Sequence, residues 1–190
     1  MSGLPTPLAE GPRTLIRPYR HEDADEFTTL VRASKALHRP WLFPPEDAGA
    51  YAAYAGRLIE DPTKAGYLVC ARDDGRIAGF VNINNIVLAA FRSGAIGYGA
   101  FAHAAGRGLM TEGLGLVARH AFGPLGLHRL EANIQPLNAA SIALVRRAGF
   151  RLEGYSPDFL LIDGAWRDHE RWALTTEMLP PPPTVSGPCG

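Results

Sequence analysis

From Arg13 onward the chain alternates between short stretches of period-two hydrophobicity and longer ones with apolar residues every third or fourth position. "RTLIRPYR" (13–20) alternates as a strand. "HEDADEFTTLVRASKAL" opens with acidic residues and carries Phe27, Leu30, Val31 and Leu37 at helical spacing. That helix is expected to stop at "HRPWLFPP", where proline cannot continue it. A second helix is expected over Ala48–Glu60, with Tyr51, Tyr54, Leu58 and Ile59 on one side. "GYLVCARDDGRIAGFVNIN" reads as two strands joined through Asp74–Gly75, a hairpin dipeptide. "SGAIGYGAF" (93–101) reads as a third strand, whose glycines point to a bulge or a close backbone approach. A helix over Leu109–Phe122, the strand "HRLEANIQ" and a helix over Asn138–Ala148 ended by Gly149 come next. The stretch "GFRLEGYSPDFLLIDGAWRDHERWALT" predicts a final hairpin turning at Asp163–Gly164. This order of elements predicts one α/β domain, a mixed sheet with helices packed against it.

The pattern divides the chain into a flexible segment over 1–12, one domain over 13–177 and a Pro-rich tail over 178–190 that is expected to be disordered. A length of 190 residues suits one domain with a sizeable core. Lys plus Arg equals Asp plus Glu at 19 each, and this balance argues against a nucleic-acid partner. No apolar run approaches the roughly 18 residues of a membrane span, and the N-terminus lacks the basic-then-apolar order of a secretion signal. The two cysteines, Cys70 and Cys189, suggest neither a disulfide framework nor a metal site, so a cytoplasmic location is expected.

The chemistry concentrates in "HAAGRGLMTEG" (103–113), where two glycines one residue apart precede a helix. Glycine near a helix start lets bulky groups approach the main chain, and the helix N-terminus offers unpaired N–H groups to an anion. A tight turn that binds nothing has the same appearance. The stretch is not a P-loop, because no Lys-Ser or Lys-Thr follows the second glycine, and Thr111 breaks GxGxxG.

Four segments in order, "IGYGAFAHAAGRGLMTEG", "HRLEAN", "PLNAASIALVRRAGFRLEGY" and "DFLLIDGAWRDHERWAL", resemble the GNAT N-acetyltransferases. Within them the chain is most similar to the RimJ/RimL group of ribosomal-protein N-terminal acetyltransferases, over about residues 13–177. The resemblance implies a central, mostly antiparallel sheet flanked by helices, and acetyl-CoA as co-substrate. It sets Gly106 and Gly108 in the family's Q/R-x-x-G-x-G/A pyrophosphate loop, with amides from Arg107 through Leu109, Met110 and Thr111 facing the diphosphate. His103 stands where the family usually has Gln or Arg. The strand Tyr98, Gly99, Ala100, Phe101 would supply a backbone N–H to the thioester carbonyl.

By the same resemblance Asn138 contacts the pantetheine–ribose region, although "N-A-A-S" is also a plain helix cap. The Ser141 hydroxyl would lie near the sulfur and protonate the departing thiolate. Glu131 is a candidate general base, or else a structural carboxylate paired with Arg129 or Arg146. Trp41, Phe43, Asn84 and Tyr155 are expected to contact the acceptor, with Trp41 and Phe43 alternatively core. Asn82, Asn84 and Asn85 are polar for a central strand and either line the acceptor groove or mark the end of that strand. Asp168 and His169 match a W-x-D-H segment of the RimJ-like branch, His169 being either a hydrogen-bonded structural residue or a base. No metal is implied, and Cys70 sits in the wrong strand for a covalent acetyl carrier. The expected acceptor is a protein N-terminus, with a small amine such as an antibiotic or polyamine as the alternative. A non-catalytic acyl-CoA sensor is the binding-only rival, and the resemblance allows a homodimer.

Overall fold

A computed structural model describes residues 6–179. Its eight strands are β1 (Ala9–Glu10), β2 (Thr14–Pro18), β3 (Ala65–Ala71), β4 (Ile77–Val87), β5 (Ser93–Ala100), β6 (Arg129–Ile134), β7 (Arg151–Ile162) and β8 (Ala165–Thr175). They form one sheet in the order β1-β2-β3-β4-β5-β6-β8-β7. Every neighbouring pair is antiparallel except β5 with β6. That exception follows from α4 (Leu109–Phe122), since a parallel neighbour needs a long crossover.

The remaining helices are α1 (Ala24–Ala33), α2 (Lys35–His38), α3 (Ala48–Glu60) and α5 (Ala139–Arg147). The single helix expected from His21 to Leu37 is divided at Ser34. Its Oγ donates to Leu30 O at 2.7 Å, a bond back along the helix that bends it, and accepts from Ala102 N at 2.9 Å. The flexible segment assigned to residues 1–12 is corrected within its described part. Ala9 pairs with Ile16 and Glu10 with Leu15, so sheet structure begins ahead of Arg13. Residues 1–5 and the tail from 180 lie outside the described residues.

Each face of the sheet is covered. On one, Leu109, Leu114 and Val117 of α4 and Val145 of α5 pack on Val69, Val81, Leu130 and Trp172. On the other, Phe27, Val31, Tyr51 and Leu58 of α1 and α3 pack on Leu68, Cys70 and Phe80. Phe27 sits at the centre of this second layer, its ring 5.1 Å from Tyr51, 5.4 Å from Phe101 and 5.5 Å from Phe80. Burying such a side chain contributes roughly 1.5–3 kcal/mol. Below it lies a buried ion pair. Arg17 at the end of β2 donates to both oxygens of Asp23, at 2.7 and 2.9 Å. No helix among the described residues is long and apolar enough to cross a membrane.

Candidate active site

The site is built by a divergence of strands. β5 and β6 pair from Ser93 with Arg129 as far as Ile96 with Ala132 and then separate. Beyond that point Gly97–Ala100 bond only to β4, and Asn133–Ile134 only to β8. The facing edge of β5 therefore carries main-chain N–H and C=O groups with no strand partner, which a bound molecule or water must satisfy. Two chambers of about 290 and 320 Å³ occupy the opening, and Leu42, Asn84, Gly97 and Tyr98 line both. An added Cβ at Gly97 would meet nothing within 4 Å, so its missing side chain is space belonging to the cleft.

The glycine loop follows β5 along the chain and leads into α4. Gly106 and Gly108 adopt φ of +75° and +78°, a region that costs other L-residues roughly 1–2 kcal/mol. Gly108 is the N-cap of α4 and no side chain caps that helix, leaving its first amides for an anion. A Cβ on Gly106 would point into open space. Arg13, Arg72 and the loop's own Arg107 line one shallow pocket with Pro12, Asp73 and Leu109, and each also pairs with a carboxylate, Arg13 with Glu112, Arg72 with Glu10 and Arg107 with Asp73. Arg13 Nη1 donates to Arg107 O at 3.0 Å, and Arg72 Nη1 to Gly11 O at 2.8 Å. Leu109 and Met110 bury their side chains in the core, so any ligand contact they make is through the main chain.

Across the cleft from the β5 edge stands the start of α5. Asn138 Oδ1 accepts from Ser141 N at 3.1 Å, so Asn138 does cap α5, and both residues line the cleft. Ser141 Oγ lies 2.5 Å from Tyr98 Oη. Burial pushes the Tyr98 hydroxyl up to about 12, even with Ser141 hydrogen-bonded to it, so it remains protonated. Tyr98 and Ser141 are thus a hydrogen-bonded pair of hydroxyls at the fork of the strands.

Several expected residues sit elsewhere. The Phe101 amide donates to Ala78 O at 2.9 Å, its carbonyl accepts from Ala104 and Ala105, and its ring is fully buried, so it has nothing free for a ligand. Glu131 does not line either chamber. It accepts from Arg129 Nε at 2.8 Å and lies 3.7 Å from Arg171 Nη2, while Arg129 also pairs with Glu153. This is the structural arrangement, with Arg129 as the partner and not Arg146. Gly99 and Ala100 line neither chamber, and the Ala100 carbonyl accepts from His38 Nε2 at 2.8 Å.

On the acceptor side Trp41 and Phe43 line chambers and are not core, and the Arg39 guanidinium lies 3.9 Å above the Phe43 ring. Asn82 and Asn84 line the smaller chamber, Asn84 and Asn85 the larger. Tyr155 faces a neighbouring pocket that shares Trp41 and Gln135 with the cleft, and its hydroxyl bonds to Asp168. His169 is 3% exposed and lines the larger chamber. Its Nδ1 lies 2.8 Å from Arg167 O, so Nδ1 carries the donated hydrogen and Nε2 is left as the acceptor.

Sequence reasoning missed Leu42, Asn133, Leu160 and Ile162 in the larger chamber and Tyr54, Arg57 and Lys64 in the smaller. Leu160 and Ile162 lie in a continuous apolar run, Phe159–Ile162, ahead of the Asp163–Gly164 turn, and that run has no period to say which of its residues face the cleft. Arg13 and Arg72 carried no signal either. Their proximity comes from β2–β3 register, which pairs Thr14 with Ala71 and bonds Arg72 N to Arg13 O.

Residues 13–151 match the acetyltransferase (GNAT) domain family. The chain is 32% identical over 182 residues to ribosomal protein uS5-alanine N-acetyltransferase of Escherichia coli (strain K12), covering 92% of this chain and 94% of that protein. It is 36% identical over 175 residues to the probable N-acetyltransferase YjcK of Bacillus subtilis (strain 168), covering 88% and 96%. Mycobacterium smegmatis RimJ, solved in complex with CoA-disulfide, superposes with a TM-score of 0.82 at 30% identity over 90% of this chain and 88% of that one. The split between β5 and β6, the glycine cradle at α4 and the hydroxyl pair at α5 thus sit on a chain that belongs to the GNAT acetyltransferase family, an acyltransferase with acetyl-CoA as its co-substrate.

Proposed function

We propose that this protein transfers acetyl directly from acetyl-CoA to the N-terminal α-amine of a protein, a ribosomal protein being the favoured acceptor. The observation that carries the choice of acceptor is the charge of the cleft: among the described residues no aspartate or glutamate lines either chamber, while Arg57 and Lys64 line one of them. A polyamine brings several ammonium groups, and such a wall gives them no counter-charge. A peptide N-terminus brings a single amine, with amides that suit Asn82 and Asn84.

Acetyl-CoA supplies the acyl group already activated as a thioester. The amides at the start of α4 hold its diphosphate, with Arg13, Arg72 and Arg107 close by for further phosphate. The free edge of β5 along Gly97–Ala100 lies alongside its pantetheine arm and thioester. Tyr98 donates to Ser141 Oγ and the Ser141 O–H passes a proton to the leaving sulfur. Ser141→Ala is expected to lower kcat about 10²-fold with acetyl-CoA affinity nearly unchanged; an unchanged kcat would remove Ser141 from the reaction.

An α-amine titrates near pH 7.7–8.0, so only modest help is needed to free its lone pair. His169 Nε2, on the wall of the larger chamber, takes that proton in this reading, and Glu131 stays with Arg129. His169→Gln should lose activity at neutral pH and regain it as pH rises and the amine deprotonates unaided. Glu131→Gln should keep the wild-type pH profile. The reverse pattern would return the base to Glu131. The proposed acceptor class is tested by turnover of N-terminal peptides beside polyamines and other small amines. Peptide turnover alone supports the reading, and turnover of small amines alone overturns it.

A further inference from the structure

The smaller chamber lies between the end of α3 and the middle of β4. Its floor is Phe80 and Asn82, and the register that pairs Asn82 with Gly97 sets that asparagine beside the strand position next to Tyr98. Asn82 is 6% exposed; its Nδ2 bonds to Tyr54 Oη, and its Oδ1 is buried without a partner. An unpaired buried acceptor is costly, and an N–H group on a molecule in the chamber would satisfy it.

The two charged residues that line the chamber, Arg57 and Lys64, are both basic. Lys64 Nζ is engaged by Asp61 at 2.8 Å, a carboxylate that does not itself line the chamber. Arg57, on the last turn of α3, forms no ion pair within 4 Å among the described residues. Burial raises the Tyr54 hydroxyl pKa, and the Arg57 guanidinium is the smallest of the influences that act against that rise. A guanidinium without an ion-pair partner, at a chamber that no carboxylate among the described residues lines, favours an anion and disfavours a second cation.

We propose that this chamber is a subsite for an anionic group on the acceptor, a carboxylate or a phosphate, held by Arg57 with Lys64 beside it while Asn82 Oδ1 accepts an N–H of the same molecule. Resting on the N-terminal reading above, the subsite makes the acceptor a protein whose first residues after the reacting amine are negatively charged. It separates this enzyme from polyamine acetyltransferases by repulsion as much as by fit.

The test is a matched series of N-terminal peptides differing only at the second and third residues: glutamate, phosphoserine, glutamine or lysine. The full-length protein is expected to prefer acidic over neutral peptides by about five- to tenfold in kcat/KM and to disfavour lysine, with the preference shrinking as salt rises. Whichever of glutamate and phosphoserine is turned over faster identifies the anion. Arg57→Gln should abolish the preference, and Arg57→Glu should invert it toward lysine, with acetyl-CoA affinity unchanged in both. Equal use of all four peptides by the wild type, or an acidic preference that survives Arg57→Glu, overturns the subsite. If no peptide is turned over, the N-terminal reading fails separately. The subsite is then read from an amino acid against its uncharged amide as acceptor, where preference for the acid supports it and indifference overturns it.

Discussion

A Gly97→Leu variant is expected to melt at or slightly above the wild-type temperature and to lose about two orders of magnitude in kcat/KM. The stability half of this expectation comes from what surrounds the position. A Cβ at Gly97 meets no atom within 4 Å, and the backbone there is ordinary strand with no positive φ. Glycine in a strand interior is roughly 0.5–1 kcal/mol worse than alanine, so a side chain that clashes with nothing stabilises slightly. The activity half comes from where that space lies, between the departing β6 and the floor residue Asn82. A side chain there displaces reactants from Tyr98 and Ser141, and a displacement of about 1 Å can cost about 10²-fold. Gly99, two residues on, is the control. A Cβ there would lie 2.7 Å from Phe80 Cζ, so Gly99→Leu should fail in folding first. Thermal melts and steady-state kinetics on the two variants separate the cases. Wild-type turnover in a folded Gly97→Leu protein would remove the cleft assignment.

Asp23→Asn is expected to destabilise the protein by about 3–5 kcal/mol, because the change leaves the Arg17 guanidinium buried without a counter-charge. Arg17 and Asp23 expose 7% and 4% of their side chains, and Asp23 also accepts from Arg20 N at 3.0 Å. For a domain of this size the loss is a melting-temperature drop of roughly 6–20 °C. Burial alone would raise the Asp23 pKa, but the hydrogen bonds and charge of Arg17 outweigh it and leave the carboxyl below its ordinary value. A depressed carboxylate stabilises fully above its unfolded pKa, about pH 4 here, and the contribution disappears as pH falls through the folded value. The variant should therefore lose less stability on acidification than the wild type. An Arg17→Met, Asp23→Leu double variant should recover most of the loss, since a packed apolar pair does not have to be desolvated as ions. A single variant as stable as wild type would show the pair contributes nothing.

Local chemistry made α3 and α4 legible to their end residues. Asp47 caps α3, accepting from Ala50 N at 2.9 Å, and Gly108 begins α4 from a left-handed conformation that few residues besides glycine reach easily. The Asp74–Gly75 and Asp163–Gly164 turns were legible for the same reason, with Gly75 and Gly164 both at positive φ. β1 was not, since two residues carry no period and its existence depends wholly on β2. At the site, Asn138 and Ser141 were singled out by the family resemblance, and the helix cap between them was legible from the spacing alone. Glu131 was ambiguous because spacing cannot say which arginine reaches it. The pairing of β6 with β8, and of β8 with β7, brings Arg171 and Glu153 into its neighbourhood. Arg57 was invisible as a site residue because α3 presents it to the chamber only after packing on β3 and β4.

The one parallel pairing has a consequence for how the protein reaches its active form. β6 is the strand whose two neighbours are both remote along the chain: α4 separates it from β5, and α5 with β7 separates it from β8. The β3–β4–β5 meander and the β7–β8 hairpin close through short turns, at little entropic cost. β6 must wait for two long loop closures and is expected to dock late. Before it docks, β5 is simply the edge of a sheet, with no fork beyond Ile96 and no α5 to set Ser141 against Tyr98. During refolding, the appearance of catalytic activity and the arrival of the last strand are then a single kinetic event.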